Sequence, residues 1–116
     1  MKMLHVTIQT NHFEEELKFY QEIVGLNIIR DMGPVGRNII FLGNAEGETE
    51  IEIIEKPDAD HSGNVNLSIG FKTGDVFTKH EELAAQGIEV TPMISPAPNV
   101  HFFFVKDPAG VNVQFM

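Results

Sequence analysis

The chain contains no cysteine. That excludes a disulfide framework, a thiolate nucleophile and a cysteine-ligated zinc site, and it fits a reducing compartment. Basic residues are scarce: 8 Lys and Arg stand against 17 Asp and Glu, for a net charge of -9. Nucleic acids and anionic membrane surfaces are bound by clustered Lys and Arg, so neither is an expected partner. An acidic surface keeps a protein soluble and mildly favours a neutral or cationic small molecule. No stretch approaches the roughly 20 apolar residues of a membrane helix. Met1-Lys2-Met3-Leu4 runs straight into a strand pattern with no signal-peptide apolar block. The expected location is the cytoplasm.

What the sequence does contain, it contains twice. Leu4-His5-Val6-Thr7-Ile8 opens the first half and Val65-Asn66-Leu67-Ser68-Ile69 the second; Glu50-Ile51-Glu52-Ile53 closes the first and Asn112-Val113-Gln114-Phe115 the second. The offset is 61 residues from His5 to Asn66 and 62 from Glu52 to Gln114. With 116 residues, 42% of them hydrophobic, the chain suffices for one domain over 1–116, built of a module over 1–55, a polar linker over 56–63 and a second module over 64–116.

Residues 3–9 alternate as a half-buried strand. Asn11 with Glu14 offers a capping box to a helix carrying Phe13, Leu17, Tyr20 and Val24 at helical spacing and stopping at Gly25. Strands are expected over 26–30, 38–42 and 50–54, with a turn at Gly33-Pro34-Val35-Gly36. In the second half, a strand over 66–72 precedes a helix capped by Asp75 and ended by Gly87. Strands follow over 88–90, 100–105 and 111–116. Three prolines make 92–99 a loop, and Asp107-Pro108-Ala109-Gly110 has the residues of a type I turn. The order is βαβββ twice: an α+β chain with mixed strand pairing and helices on one sheet face.

The first and last strands of each half have an apolar and a polar face. Leu4/Val6/Ile8, Ile51/Ile53, Leu67/Ile69/Phe71 and Val111/Val113/Phe115 should pack under the helices. His5/Thr7/Gln9, Glu50/Glu52, Asn66/Ser68 and Asn112/Gln114 should share the other side. If the strands curve into a half-barrel with helices on its convex face, those polar side chains line one cup, and small-molecule sites are concave. Thr7, Glu50, Ser68 and Asn112 are candidate ligand contacts. His101, which alternates with Phe103 and Val105, is either a cup residue or a packed histidine, and Phe103 joins it as a candidate.

The doubled order, with His5, Leu17-Lys18-Phe19-Tyr20 leading to Val24-Gly25-Leu26, the Glu52 strand, and Phe104-Val105-Lys106-Asp107-Pro108-Ala109-Gly110, resembles the vicinal oxygen chelate superfamily. That superfamily includes glyoxalase I, bleomycin-resistance proteins and extradiol dioxygenases. The resemblance implies a divalent ion (Zn²⁺, Ni²⁺, Mn²⁺ or Fe²⁺) at His5, Glu52, Asn66 and Gln114, with Glu52 and Gln114 at the catalytic places of an enzyme. It also implies a homodimer. Two of these four places depart from the His and Glu of the pattern. Asn66 and Gln114 are amides, which bring no charge and no base. Two readings follow: a small-molecule binding protein that needs no metal, or a metal-dependent glyoxalase-type lyase or isomerase.

Overall fold

The computed structural model describes residues 1–116. The α+β class and the doubled βαβββ order hold, and two compact units form, Met1–His61 and Ser62–Met116. Each contains one four-stranded mixed sheet. No helix is long and apolar enough to cross a membrane.

In the first unit, β1 (His5–Thr10) is followed by α1 (Phe13–Lys18), β2 (Asn27–Asp31), β3 (Ile39–Gly43) and β4 (Glu50–Glu55). The sheet order is β1-β4-β3-β2, with β1 parallel to β4 and the other pairs antiparallel. The single parallel pair follows from the helical crossover, since only the short turns after β2 and β3 return the chain beside itself. Phe13 and Leu17 of α1 are buried with Ile8, Ile51 and Ile53, so the core lies between helix and sheet. Leu4, expected in this core, is 66% exposed because the strand begins only at His5. The expected capping box does not form. His12 occupies the cap without a side-chain bond, and the Thr10 hydroxyl accepts from the His12 amide at 2.9 Å. After Lys18 the helix widens to a π-helix over Phe19–Val24, which buries Phe19 and Tyr20 and ends on Gly25 at φ +88°. Glycine adopts that left-handed conformation without a Cβ penalty.

In the second unit, a 3₁₀ turn over Ser62–Asn66 leads to β5 (Ser68–Phe71), α2 (Val76–Ala85), β6 (Ile94–Ala97), β7 (Val100–Lys106) and β8 (Asn112–Phe115). The order is β5-β8-β7-β6, with β5 parallel to β8. Leu83, Phe103, Val105, Val113 and Phe115 form the core. Helix α2 ends in a Schellman arrangement, with Gly87 N–H donating to Ala84 O at 3.0 Å and Ile88 N–H to Leu83 O at 3.1 Å.

Two expectations are overturned here. The strand expected over 88–90 does not form. Instead Thr91 exchanges bonds with Phe104, its N–H donating to the carbonyl at 3.1 Å and its hydroxyl accepting from the amide at 2.9 Å. The proline-rich segment expected as loop contains β6. Because β6 is an edge strand with a register break between Ile94 and Ala97, Pro96 forfeits no ladder bond. Leu67, expected in the core, is 40% exposed, for the same reason that Leu4 is: it precedes its strand.

The Asp75 carboxylate caps α2, accepting from Phe77 N–H at 3.0 Å and Thr78 N–H at 3.2 Å. Thr78, through its amide and its hydroxyl, chiefly holds the carboxyl below its ordinary value of 3.8. A depressed folded-state pKa means that the cap's contribution is complete above the unfolded value and is lost as pH falls through the folded one. Asp75→Ala should therefore lower the melting temperature at pH 7, with the difference from wild type vanishing at the acid end. Asp75→Asn, which keeps an acceptor oxygen, should lower it less. Thermal melts across pH 2–7 check this, and a pH-independent difference would contradict it.

Candidate functional site

The polar face of the first unit is built by register. His5 lies level with Glu50, and Thr7 with Glu52, across the parallel β1–β4 pair; Phe41 of β3 lies level with Glu52 on its other side. One face therefore gathers His5, Thr7, Glu50, Glu52, Phe41 and, beyond Phe41 on β2, Arg30. The Thr7 hydroxyl donates to Glu52 Oε1 at 2.5 Å, and His5 Nε2 lies 3.4 Å from the same oxygen. The Glu52 side chain is 13% exposed and that of His5 35%, so the carboxylate is held in place while the imidazole remains reachable. The Glu52 carboxylate is an acceptor suited to a ligand's hydrogen-bond donors or positive charge, and His5 Nε2 is placed to donate toward it.

Glu50 is not a second free carboxylate. It is buried, and Arg30 Nη2 donates to its Oε1 at 2.9 Å. The guanidinium also lies 4.0 Å over the Phe41 ring, whose edge contact with His5 spans 5.5 Å between centroids. Arg30 and Phe41 are thus the residues that sequence reasoning missed. Phe41 sits in the unalternating run Ile39–Leu42, and a register break between Ile28 and Arg30 hides which way Arg30 faces. The one available signal was the hairpin joining β3 to β4, which sets Phe41 opposite Glu52.

The second unit does not reproduce this set. Its parallel pair aligns Ser68 with Asn112 and Gly70 with Gln114. The places of His5 and Thr7 beside the last strand are therefore taken by Ser68 and Gly70, and Asn66 lies ahead of the sheet. Asn66 was expected on the strand, but it closes the 3₁₀ turn. That turn is fixed by Asn64, whose side-chain amide donates to Ala109 O at 2.8 Å while its carbonyl accepts from Leu67 N–H at 3.0 Å. Such local bonds compete with strand extension.

Gly70 leaves room for Gln114, because a Cβ there would come within 3.1 Å of Gln114 Oε1. Asn112 is committed at both ends: its amide donates to Val65 O at 3.0 Å and its oxygen accepts from Lys106 Nζ at 3.3 Å. His101 bridges Ser95 Oγ at 2.7 Å and Pro98 O at 3.0 Å, with its ring 5.0 Å from that of Phe77, which makes it a clamp on the β6–β7 hairpin. Phe103 is fully buried on the helix side and offers a ligand no surface. On the other side, Phe104, Lys106 and Asn112 join Thr91 and Pro92 around a cavity of about 450 Å³, within the range of small-molecule pockets.

A divalent ion was the cofactor expected from resemblance. The first unit supplies one imidazole and one carboxylate that meet; the second supplies a serine hydroxyl, a glycine and amides at the level positions. Nowhere do three His, Asp or Glu side chains converge on a common point. Amides and hydroxyls are weak partners for borderline ions, so the donor set does not fit a resident metal of the expected type.

A sheet with a parallel outer pair, repeated with its helix in each half, and a carboxylate–imidazole pair on the exposed face define the class. The chain matches the family model described as Glyoxalase/Bleomycin resistance protein/Dioxygenase superfamily over residues 2–115. It belongs to that superfamily. A lactoylglutathione lyase of Haemophilus influenzae is 27% identical over 124 residues, spanning 100% of this chain and 92% of the relative. Among solved structures, a putative glyoxalase family protein from Bacillus anthracis superposes with TM-score 0.76 at 25% identity, covering 99% of this chain and 93% of that one. TnmS3, an antibiotic binding protein from Streptomyces sp. CB03234, superposes with TM-score 0.77 at 18% identity over 99% and 93% of the two chains. At that identity the likeness shows the fold.

Proposed function

We propose that this protein binds a small molecule on its polar sheet faces and does so without a complete metal site. The observation that carries the reading is the asymmetry of the two parallel strand pairs. Where the first unit has His5, Thr7, Glu50 and Glu52, the second has Ser68, Gly70, Asn112 and Gln114 at the corresponding register positions of its own strand pair. Catalysis at a metal-bound oxygen needs a strong ligand set and a proton acceptor. The second unit offers neither. Other residues suit recognition: Glu52 accepts from a donor or cation, the Gln114 amide pairs with either hydrogen-bonding sense, and half-buried Phe104 supplies aromatic surface. The homodimer and the cytoplasmic location belong to the same reading.

The competing reading is a metal-dependent lyase. It is favoured by the His5–Glu52 contact and by the naming of the relatives as lactoylglutathione lyases. Titration of chelator-treated protein with Zn²⁺ and Ni²⁺, followed by an assay of lactoylglutathione turnover, separates the two. The expected result is no turnover and no metal binding that depends on His5 or Glu52. Stoichiometric uptake lost in both His5→Ala and Glu52→Ala, together with turnover, would establish the enzyme instead.

A further inference from the structure

One pair of imidazoles lies outside the polar face. His12, at the start of α1, and His61, at the end of the first unit, have ring centroids 5.8 Å apart at an interplanar angle of 53°. The backbone holds them together. Lys56 N–H donates to Thr10 O at 2.8 Å, joining the exit of β4 to the residue two before His12, and Ala59 N–H donates to Lys56 O at 3.0 Å, turning the chain back toward His61. The Thr10 hydroxyl accepts from the His12 amide.

The independent observation is His61 Nε2, which is buried and has no hydrogen-bond partner. A buried imidazole nitrogen without a partner has given up its water and gained nothing in exchange, which is unfavourable until a ligand takes it. Its lone pair in the neutral ring is the usual imidazole ligand to a transition metal. An ion about 2.0–2.1 Å from each nitrogen, with each nitrogen roughly 1.1 Å from its ring centre, sets the centres about 5–6.4 Å apart between tetrahedral and linear angles. The observed separation falls inside that interval.

We infer that His12 and His61 form a two-imidazole site for a borderline divalent cation of the Zn²⁺, Ni²⁺ or Cu²⁺ class, with the remaining coordination completed by water. No third His, Asp or Glu joins them. Two ligands without a carboxylate select against Mg²⁺ and Ca²⁺, which take oxygen donors. The site is half-built and exchangeable, and is distinct from the His5–Glu52 pair.

The test is calorimetric titration of untagged, chelator-treated full-length protein with Zn²⁺, paired with NMR of the histidine ring protons. One site of roughly micromolar affinity is expected, with shifts at His12 and His61 and none at His5. His12→Ala, an exposed position, should weaken binding at least about tenfold, equivalent to about 1.4 kcal/mol. His5→Ala should leave it unchanged. Binding that survives both His12→Ala and His61→Ala, or ring shifts confined to other histidines, overturns the inference. Loss in His5→Ala alone overturns it as well, and counts against the metal-free reading of the polar face.

Discussion

Phe103→Ala should destabilise the second unit by about 4 kcal/mol, the usual cost of deleting a buried phenylalanine together with the cavity it leaves. Phe103 is 0% exposed. Its ring stacks on Phe115 at 5.4 Å and an interplanar angle of 26°, and receives the edge of His80 at 4.9 Å and 88°. His80 is itself fixed, with Nε2 2.8 Å from Thr91 O, so it cannot swing in to fill the void. Urea unfolding followed by far-UV dichroism reads the loss. Phe104→Ala, on the opposite face beside the cavity, provides the contrast: a part-exposed ring costs less, and its removal should act on ligand binding. A Phe103→Ala protein within about 1 kcal/mol of wild type that had lost ligand binding would return Phe103 to the site and sink the present placement.

That contrast also shows what a sequence can and cannot say about this fold. Alternation in β1, β4 and β8 was enough to put His5, Thr7 and Glu52 on one face, because a period of two leaves no freedom once one side is apolar. It failed at Phe102-Phe103-Phe104, where three like residues carry no period, and it offered no guide to which of them meets a ligand. Offsets between the halves also misled. A repeat aligned on apolar residues pairs His5 with Asn66, whereas hydrogen-bond register sets Ser68 at that level, since the Leu67 N–H is spent on the turn at Asn64 and only its carbonyl reaches β8, accepting from Asn112 N–H. Arg30 was legible only as a charge. Its pairing with Glu50 depends on a register break that no propensity announces. Pro96 shows the reverse error: three prolines argued against any strand, yet an edge position asks nothing of the missing N–H.

Asp107 carries the other large expectation. The side chain is buried at the start of the β7–β8 turn, and its Oδ1 accepts from both Ala109 N–H and Val111 N–H at 2.9 Å. The backbone closes around it, with Gly110 N–H donating to Asp107 O at 3.0 Å and Asp107 N–H to Val111 O at 2.9 Å, while Gly110 sits at φ +86°. Asp107→Ala strands two amide donors, one of them on fully buried Ala109, and should cost about 3 kcal/mol. Asp107→Asn keeps an acceptor oxygen in place and should cost roughly half as much. The effect should travel along the hairpin, since β7 and β8 leave this turn carrying Lys106, Asn112 and Gln114 on the face assigned to the ligand. Hydrogen exchange is the decisive measurement. In Asp107→Ala the amides of Ala109 and Val111 should lose protection first and furthest, with Asn112 following because its ladder bonds begin there. Unchanged protection at those amides, or equal losses for the Ala and Asn variants, would mean that the turn is held by its backbone alone and that the carboxylate is dispensable to it.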